Sequence, residues 1–200
     1  PLNRHTPGLD PLVRELRADA GLKIEAQRLK AAFAARAETM LHGDLHTGSV
    51  MVRGDESRVI DPEFATYGPM GFDVGMLIAN FLMAHCAQPG HGADRGDYRE
   101  WILSVVRAAW TGFEAEFTRL WRTERTGMLF PATLFEDQGQ PWAAESARER
   151  WLGQVWRDAL GFGGLECHRR ILGLAHNADF ERIADEGRRA ACEARALVLG

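Results

Sequence analysis

Apolar residues recur at helical spacing through most of this chain, and the period changes only in its second quarter. Leu29, Phe33 and Ala37 share one face of a helix expected over Ile24 to Met40. Before it, residues 1–9 read as loop, and Asp10 is placed to cap a short helix with Pro11 at its first position. Phe72 to Ala87 reads as a strongly apolar, buried helix. Asp97 to Thr126 reads as a long one with Trp101, Val105, Ala108, Trp110 and Phe117 on its apolar side. Ala143 to Leu160, Leu165 to Leu174 and Phe180 to Leu199 complete the helical set, with a break expected at Gly161-Phe162-Gly163-Gly164. Gln88 to Gly96 is glycine-rich and expected to be mobile, and Gly127 to Trp142 is expected to be a loop carrying two prolines. In the second quarter, Ser49-Val50-Met51-Val52-Arg53 and Arg58-Val59-Ile60 alternate and are β-branched, around a turn at Gly54-Asp55-Glu56-Ser57. The pattern predicts a mainly α fold with one small β-hairpin, and no internal repeat or low-complexity segment.

Bulk properties narrow the class. Two hundred residues with 46% hydrophobic content suffice for one domain with a real core. The net charge of −4 argues against nucleic acid or an anionic membrane as the main partner, and the aromatics do not alternate with basic residues as on a nucleic-acid platform. Cys86, Cys167 and Cys192 are odd in number and lack C-x-x-C spacing, so a disulfide framework or zinc site is not expected and a reducing cytoplasm fits better. The start of the chain has no apolar stretch behind it. The longest apolar run, Met70 to Ala87, carries Asp73, Asn80 and His85, too polar for a membrane span.

The chemistry concentrates in His42-Gly43-Asp44-Leu45-His46-Thr47-Gly48-Ser49, followed by Val59-Ile60-Asp61-Pro62-Glu63-Phe64. Asp44 and Asp61 lie 17 residues apart across the hairpin. Phosphotransferases of the kinase type use this order, with one carboxylate facing the substrate hydroxyl and the next holding magnesium on the nucleotide phosphates. Asp44 is the candidate to orient a hydroxyl and take its proton; the bland alternative is a turn aspartate bonding backbone N–H groups. Asp61 and Glu63 supply hard oxygens for Mg²⁺, and on an extended backbone the two would share a face. Most kinases place Asn five residues after the catalytic Asp; here that position is Ser49, a weaker ligand. Asp73, opening the apolar helix, is placed to N-cap it and to accept bonds from the backbone around Asp44. His42 is expected to brace this loop. His42 and His46 lack the further ligands a metallohydrolase needs. The tryptophans read mostly as core, with one a candidate for a pocket wall. By pattern, Arg169-Arg170 reads either as a solvated helix face or as a pair of cations for a transferring phosphoryl group.

The strings His42 to Ser49, Ile60-Asp61-Pro62-Glu63-Phe64-Ala65 and Tyr67 to Gly75, with Arg169-Arg170-Ile171-Leu172-Gly173-Leu174-Ala175-His176, closely resemble the S-methyl-5-thioribose kinase family, within the aminoglycoside phosphotransferase and choline kinase group. The resemblance runs from the start to about Asp179. It implies transfer of a phosphoryl group from ATP to the anomeric hydroxyl of 5-methylthioribose, giving the 1-phosphate in methionine salvage. By it Asp44 matches the catalytic, substrate-contacting aspartate. Asp61-Pro62-Glu63 matches the magnesium- and ATP-binding segment, and Arg169 and Arg170 match the arginines on substrate and phosphate. The family is typically homodimeric. One departure stands out. No phosphate-covering loop or strand lysine precedes Asp44, and Lys23 and Lys30 sit in or beside a helical pattern. The expectation is therefore a C-terminal kinase-like lobe with its N-lobe absent, to which a first residue of proline is suited. Lead-in helices would occupy residues 1–40, the catalytic loop, hairpin and metal loop 41–75, and a helical subdomain 76–200. A different small-molecule kinase (aminoglycoside, choline or another sugar) keeps Asp44 and Asp61. A non-catalytic lobe that binds a partner would need none of the acidic residues.

Overall fold

The computed structural model describes residues 3–92 and 95–200. The loop expected at the first two residues, and the stretch expected to be mobile at 93–94, lie outside it. Helices α1 (Asp10–Ala18) and α2 (Ala20–Ala35) lead into strand β1 (Thr39–Leu41). A hairpin of β2 (Val50–Arg53) and β3 (Glu56–Val59) follows, then β4 (Thr66–Gly68). The remainder is helical: α3 (Gly71–His91), α4 (Gly96–Thr123), α5 (Pro141–Leu172), α6 (Ala178–Glu181) and α7 (Glu186–Leu199). The mainly α expectation holds, but a second antiparallel pair joins the hairpin. β1 pairs with β4, Met40 opposite Tyr67, while β2 pairs with β3, Val50 opposite Val59.

Several boundaries differ from the pattern for identifiable reasons. Asp10 does not cap α1: it is already helical and its carboxylate meets His5 Nε2 at 2.7 Å. α2 begins four residues before Ile24 because Asp19 Oδ1 accepts the Leu22 N–H, and it ends before Met40, which β1 takes. α3 runs through Pro89 and Gly90 to His91. Gln88 is buried, donating to the Ala84 carbonyl and accepting from Arg95, and a side chain at Gly90 would collide with buried Ile183. Packing here overrides the breaker residues. α4 stops at Thr123, and its buried residue is Ile102, whereas Trp101 faces outward stacked on Tyr98. The segment expected as loop before α5 contains two 3-10 turns, and Pro141 opens the helix. The last expected helix is two: Asn177 caps α6 and Asp185 caps α7 through their side chains. None of the six tryptophans is fully buried.

The largest correction concerns α5. The glycines at 161, 163 and 164 do not break it; it continues for 32 residues. They are surfaces of close approach. A Cβ on Gly163 would stand 3.0 Å from the Gly75 carbonyl oxygen, one on Gly75 2.3 Å from that of Ala159, and one on Gly161 2.8 Å from Leu29. α3 and α5 thus cross with backbones nearly touching. Around this crossing Leu9, Val13, Met83, Ile171, Phe180, Ile183 and Leu197 form the core, with Cys86, Cys167 and Cys192 reduced and buried among them. Burial pushes the Cys167 thiol up to about 12. Arg36 ties the end of α2 to α5: its guanidinium lies 2.7 Å from Asp158, which is wholly buried, and also bonds Glu38, whose other oxygen accepts the Met70 N–H.

Candidate functional site

The loop between β1 and β2 hangs on one carboxylate. Asp73, in the first turn of α3, accepts the His42 N–H at 2.6 Å and the Gly43 N–H at 3.1 Å. Both oxygens are spent on this loop, so the capping bond expected of Asp73 is not made. Burial pushes its carboxyl up, opposed by the two backbone donors. His42 Nε2 lies 2.8 Å from the Ile60 carbonyl, so it carries the proton, leaving Nδ1 to accept from the Asp44 N–H. The imidazole therefore links the Asp44 loop to the segment that carries Asp61. His46 faces its own turn through the Gly48 N–H, with Nε2 3.6 Å from Asp44 Oδ2.

Asp44 is half-buried and meets the end of α5. Its Oδ1 accepts from Arg170 Nη2 at 3.2 Å, with Arg169 Nη2 at 3.7 Å. The structure thus brings Asp44, Arg169 and Arg170 together from positions more than a hundred residues apart, and the arginine pair is not a plain solvated face. Pattern reasoning missed the residue behind them. Glu166 is 2% exposed. It accepts from Arg169 Nε and Nη2 at 2.6 and 3.0 Å and from Arg170 Nε at 2.6 Å. The signal was present: a glutamate three and four residues before a twin arginine lies on the same helix face.

Asp61, Pro62 and Glu63 are exposed after β3. Their backbone is not extended as expected. Asp61 sits at φ 67°, and a turn closes through the Ala65 N–H and the Pro62 carbonyl. The alternation rule that would align Asp61 with Glu63 therefore does not apply. Among the described residues neither carboxylate holds a hydrogen bond or an ion pair, and both offer the hard oxygens that Mg²⁺ takes. Ser49 fits that role poorly: it is 4% exposed and its hydroxyl donates to the Asp44 carbonyl. Among the described residues no group of three His, Cys, Asp or Glu side chains is gathered as a metal cage.

A cavity of about 470 Å³ opens beside Asp44. Its polar end is Asp44, Glu166 and Arg169, with Lys30 also on the lining. Its wall is apolar: Phe33, Phe64, Phe72, Met76, Phe162 and Leu165. Phe33 and Phe72 have ring centroids 4.8 Å apart, and Phe72 meets Phe162 edge-on at 5.2 Å. No tryptophan lines it; Trp142 and Trp151 flank a separate aromatic cavity near the start of α5.

The model of the phosphotransferase enzyme family matches residues 2–103. Methylthioribose kinase 1 of Oryza sativa subsp. japonica is 43% identical over 199 residues, covering 98% of this chain and 46% of that protein. Methylthioribose kinase of Escherichia coli O45:K1 (strain S88 / ExPEC) is 38% identical over 200 residues, covering 98% and 47%. That of Yersinia pseudotuberculosis serotype IB (strain PB1/+) is 40% identical over 200 residues, covering 99% and 46%. The chain spans about half the length of the curated relatives it matches.

Proposed function

The chain belongs to the phosphotransferase enzyme family, and from that premise we propose that it carries the catalytic site of a methylthioribose kinase. The observation that carries the reading is the cavity. One end holds a carboxylate and a guanidinium; the rest is an aromatic and aliphatic wall. A ribose with a 5-methylthio group has the same division, hydroxyls at one end and an apolar thioether at the other. Sulfur against ring edges suits the phenylalanine wall. An aminoglycoside would bring several cationic groups to a wall that has no acidic residue beyond Asp44 and Glu166.

In this reading Asp44 Oδ1 stays with Arg170, and Oδ2, whose nearest charged partner among the described residues is His46 at 3.6 Å, receives the proton of the anomeric hydroxyl. The hydroxyl oxygen bonds to the γ-phosphorus as the bond to the leaving ADP oxygen breaks. Arg169 neutralises charge on the transferring group while Arg170 stays on Asp44. Asp61 and Glu63 would hold Mg²⁺, which when bound shields the ATP phosphates, and Pro62 shapes that turn. The nucleotide grip belongs to the part of the relatives' length that this chain does not match. Exposed Met40 and Tyr67, opposite one another on β1 and β4, and exposed Met51 and Val52 on β2 support a covering lobe on that side. Residues 1–40, 41–75 and 76–200 would then be lead-in, catalytic and helical parts of one lobe. The same reading carries a homodimer, which sedimentation tests, and a cytoplasmic location. Among the described residues no helix is long and apolar enough to cross a membrane.

The deciding experiment is a substrate panel on the native gene product with Mg·ATP. The expected result is transfer to methylthioribose, clearly slower transfer to ribose, and none to choline or kanamycin. Equal or better transfer to choline or kanamycin would move the assignment to another small-molecule kinase.

A further inference from the structure

We propose that Glu166 is the positioning residue of the site and that it gives the two neighbouring arginines different tasks; this rests on the kinase reading above. Glu166 is a carboxylate whose side chain is 1% exposed, two turns before the end of α5. A lone buried charge is costly, and this one is matched by three guanidinium N–H donors at 2.6 to 3.0 Å. The two arginines then diverge. Arg170 is 14% exposed and spans both carboxylates, with Nε on Glu166 and Nη2 on Asp44. It is a fixed bridge, aiming Asp44 from the floor of α5. Arg169 is 47% exposed, sits 3.7 Å from Asp44, and lines the cavity. Its Nε–Nη2 fork is on Glu166, and its remaining Nη1 carries no bond among the described residues. Arg169 is therefore the arginine free to face an incoming phosphoryl group, with Glu166 holding its base. Four charges, two of each sign, balance before substrate arrives. Anionic phosphate draws on Arg169 without stripping Asp44 of its partner.

The test combines a readout that needs no substrate with one that does. Arginine Nε–H signals in ¹H–¹⁵N spectra should show two slowly exchanging resonances from Arg169 and Arg170. Glu166→Gln, which keeps shape but turns one acceptor oxygen into a donor NH₂, should lose at least one of them. In turnover with Mg·ATP and methylthioribose, the same variant should lose roughly 10²-fold in kcat, the scale of a misplaced catalytic group, while KM for methylthioribose moves less than about threefold. If Glu166→Gln does not fold, Glu166→Asp serves: one methylene shorter, it cannot span both guanidiniums, so one signal should be lost. Survival of both signals on substitution, or a variant with a lowered melting temperature and unchanged kcat, would overturn the proposal and leave Glu166 a packing residue. If the wild-type protein turns over no methylthioribose, the kinase reading fails instead, and the arginine signals alone decide whether Glu166 positions the pair.

Discussion

Gly43 has a φ of 87°, and a Cβ there would lie 2.2 Å from the Phe64 carbonyl oxygen. Strain of that kind costs about 1–3 kcal/mol, so Gly43→Ala should lower the melting temperature and displace Asp44, reducing turnover as well. Asp44→Asn should keep the fold by circular dichroism and lose roughly 10²–10⁴ in kcat, the range for a general base; near-wild-type turnover would remove Asp44 from the chemistry. Asp73 gives a pH signature. Burial raises its carboxyl above the ordinary value, so the folded state keeps a proton that the unfolded chain has already lost. Its share of stability is full below the ordinary aspartate range, near about 4, and declines as pH rises through the raised value. Melting curves of wild type and Asp73→Asn from acid to neutral pH should differ in slope over that window. At this scale the motif residues were legible because Asp44 is followed across a hairpin by Asp61 and Glu63 in the order kinases use, which a lone turn aspartate would not require. Glu166 was only half legible: its spacing to the two arginines is in the sequence, but a glutamate in a helix is usually solvated and only the fold reveals that this one is buried.

At the scale of elements, the crossing of α3 and α5 sets the site, because α3 carries Asp73 and α5 carries Glu166, Arg169 and Arg170. Gly75→Ala should force the helices apart at the Ala159 carbonyl and cost about 1–3 kcal/mol, as overpacking does. It should also lengthen the path from α5 to Asp44, so stability by denaturant titration and turnover should fall together. The helical period of α3 and α5 was plain in the sequence, but the glycines of α5 read as a break. Glycine marks both a helix end and a helix contact, and only the partner surface, here Gly75, distinguishes them. The β1–β4 pair was hidden for a related reason. Three-residue strands have too little alternation to register, and Met40 and Leu41 fit the preceding helical period equally well.

At the scale of the molecule, one core unites α1, α3, α5, α6 and α7 and encloses all three thiols. Cys86, Cys167 and Cys192 should resist a disulfide reagent at neutral pH and react together in denaturant. Because the Cys167 thiol is pushed up to about 12, stability should fall as pH climbs from the ordinary thiol range toward that value, where the unfolded chain ionises first. The central claim is that the cavity beside Asp44 receives a methylthio sugar. Its most direct test is ³¹P NMR of the native gene product with Mg·ATP and 5-methylthioribose, beside its Asp44→Asn variant. Growth of a sugar 1-phosphate signal matched by ADP, and lost in the variant, is the predicted result. ATP left intact with methylthioribose but consumed with choline or kanamycin would contradict it.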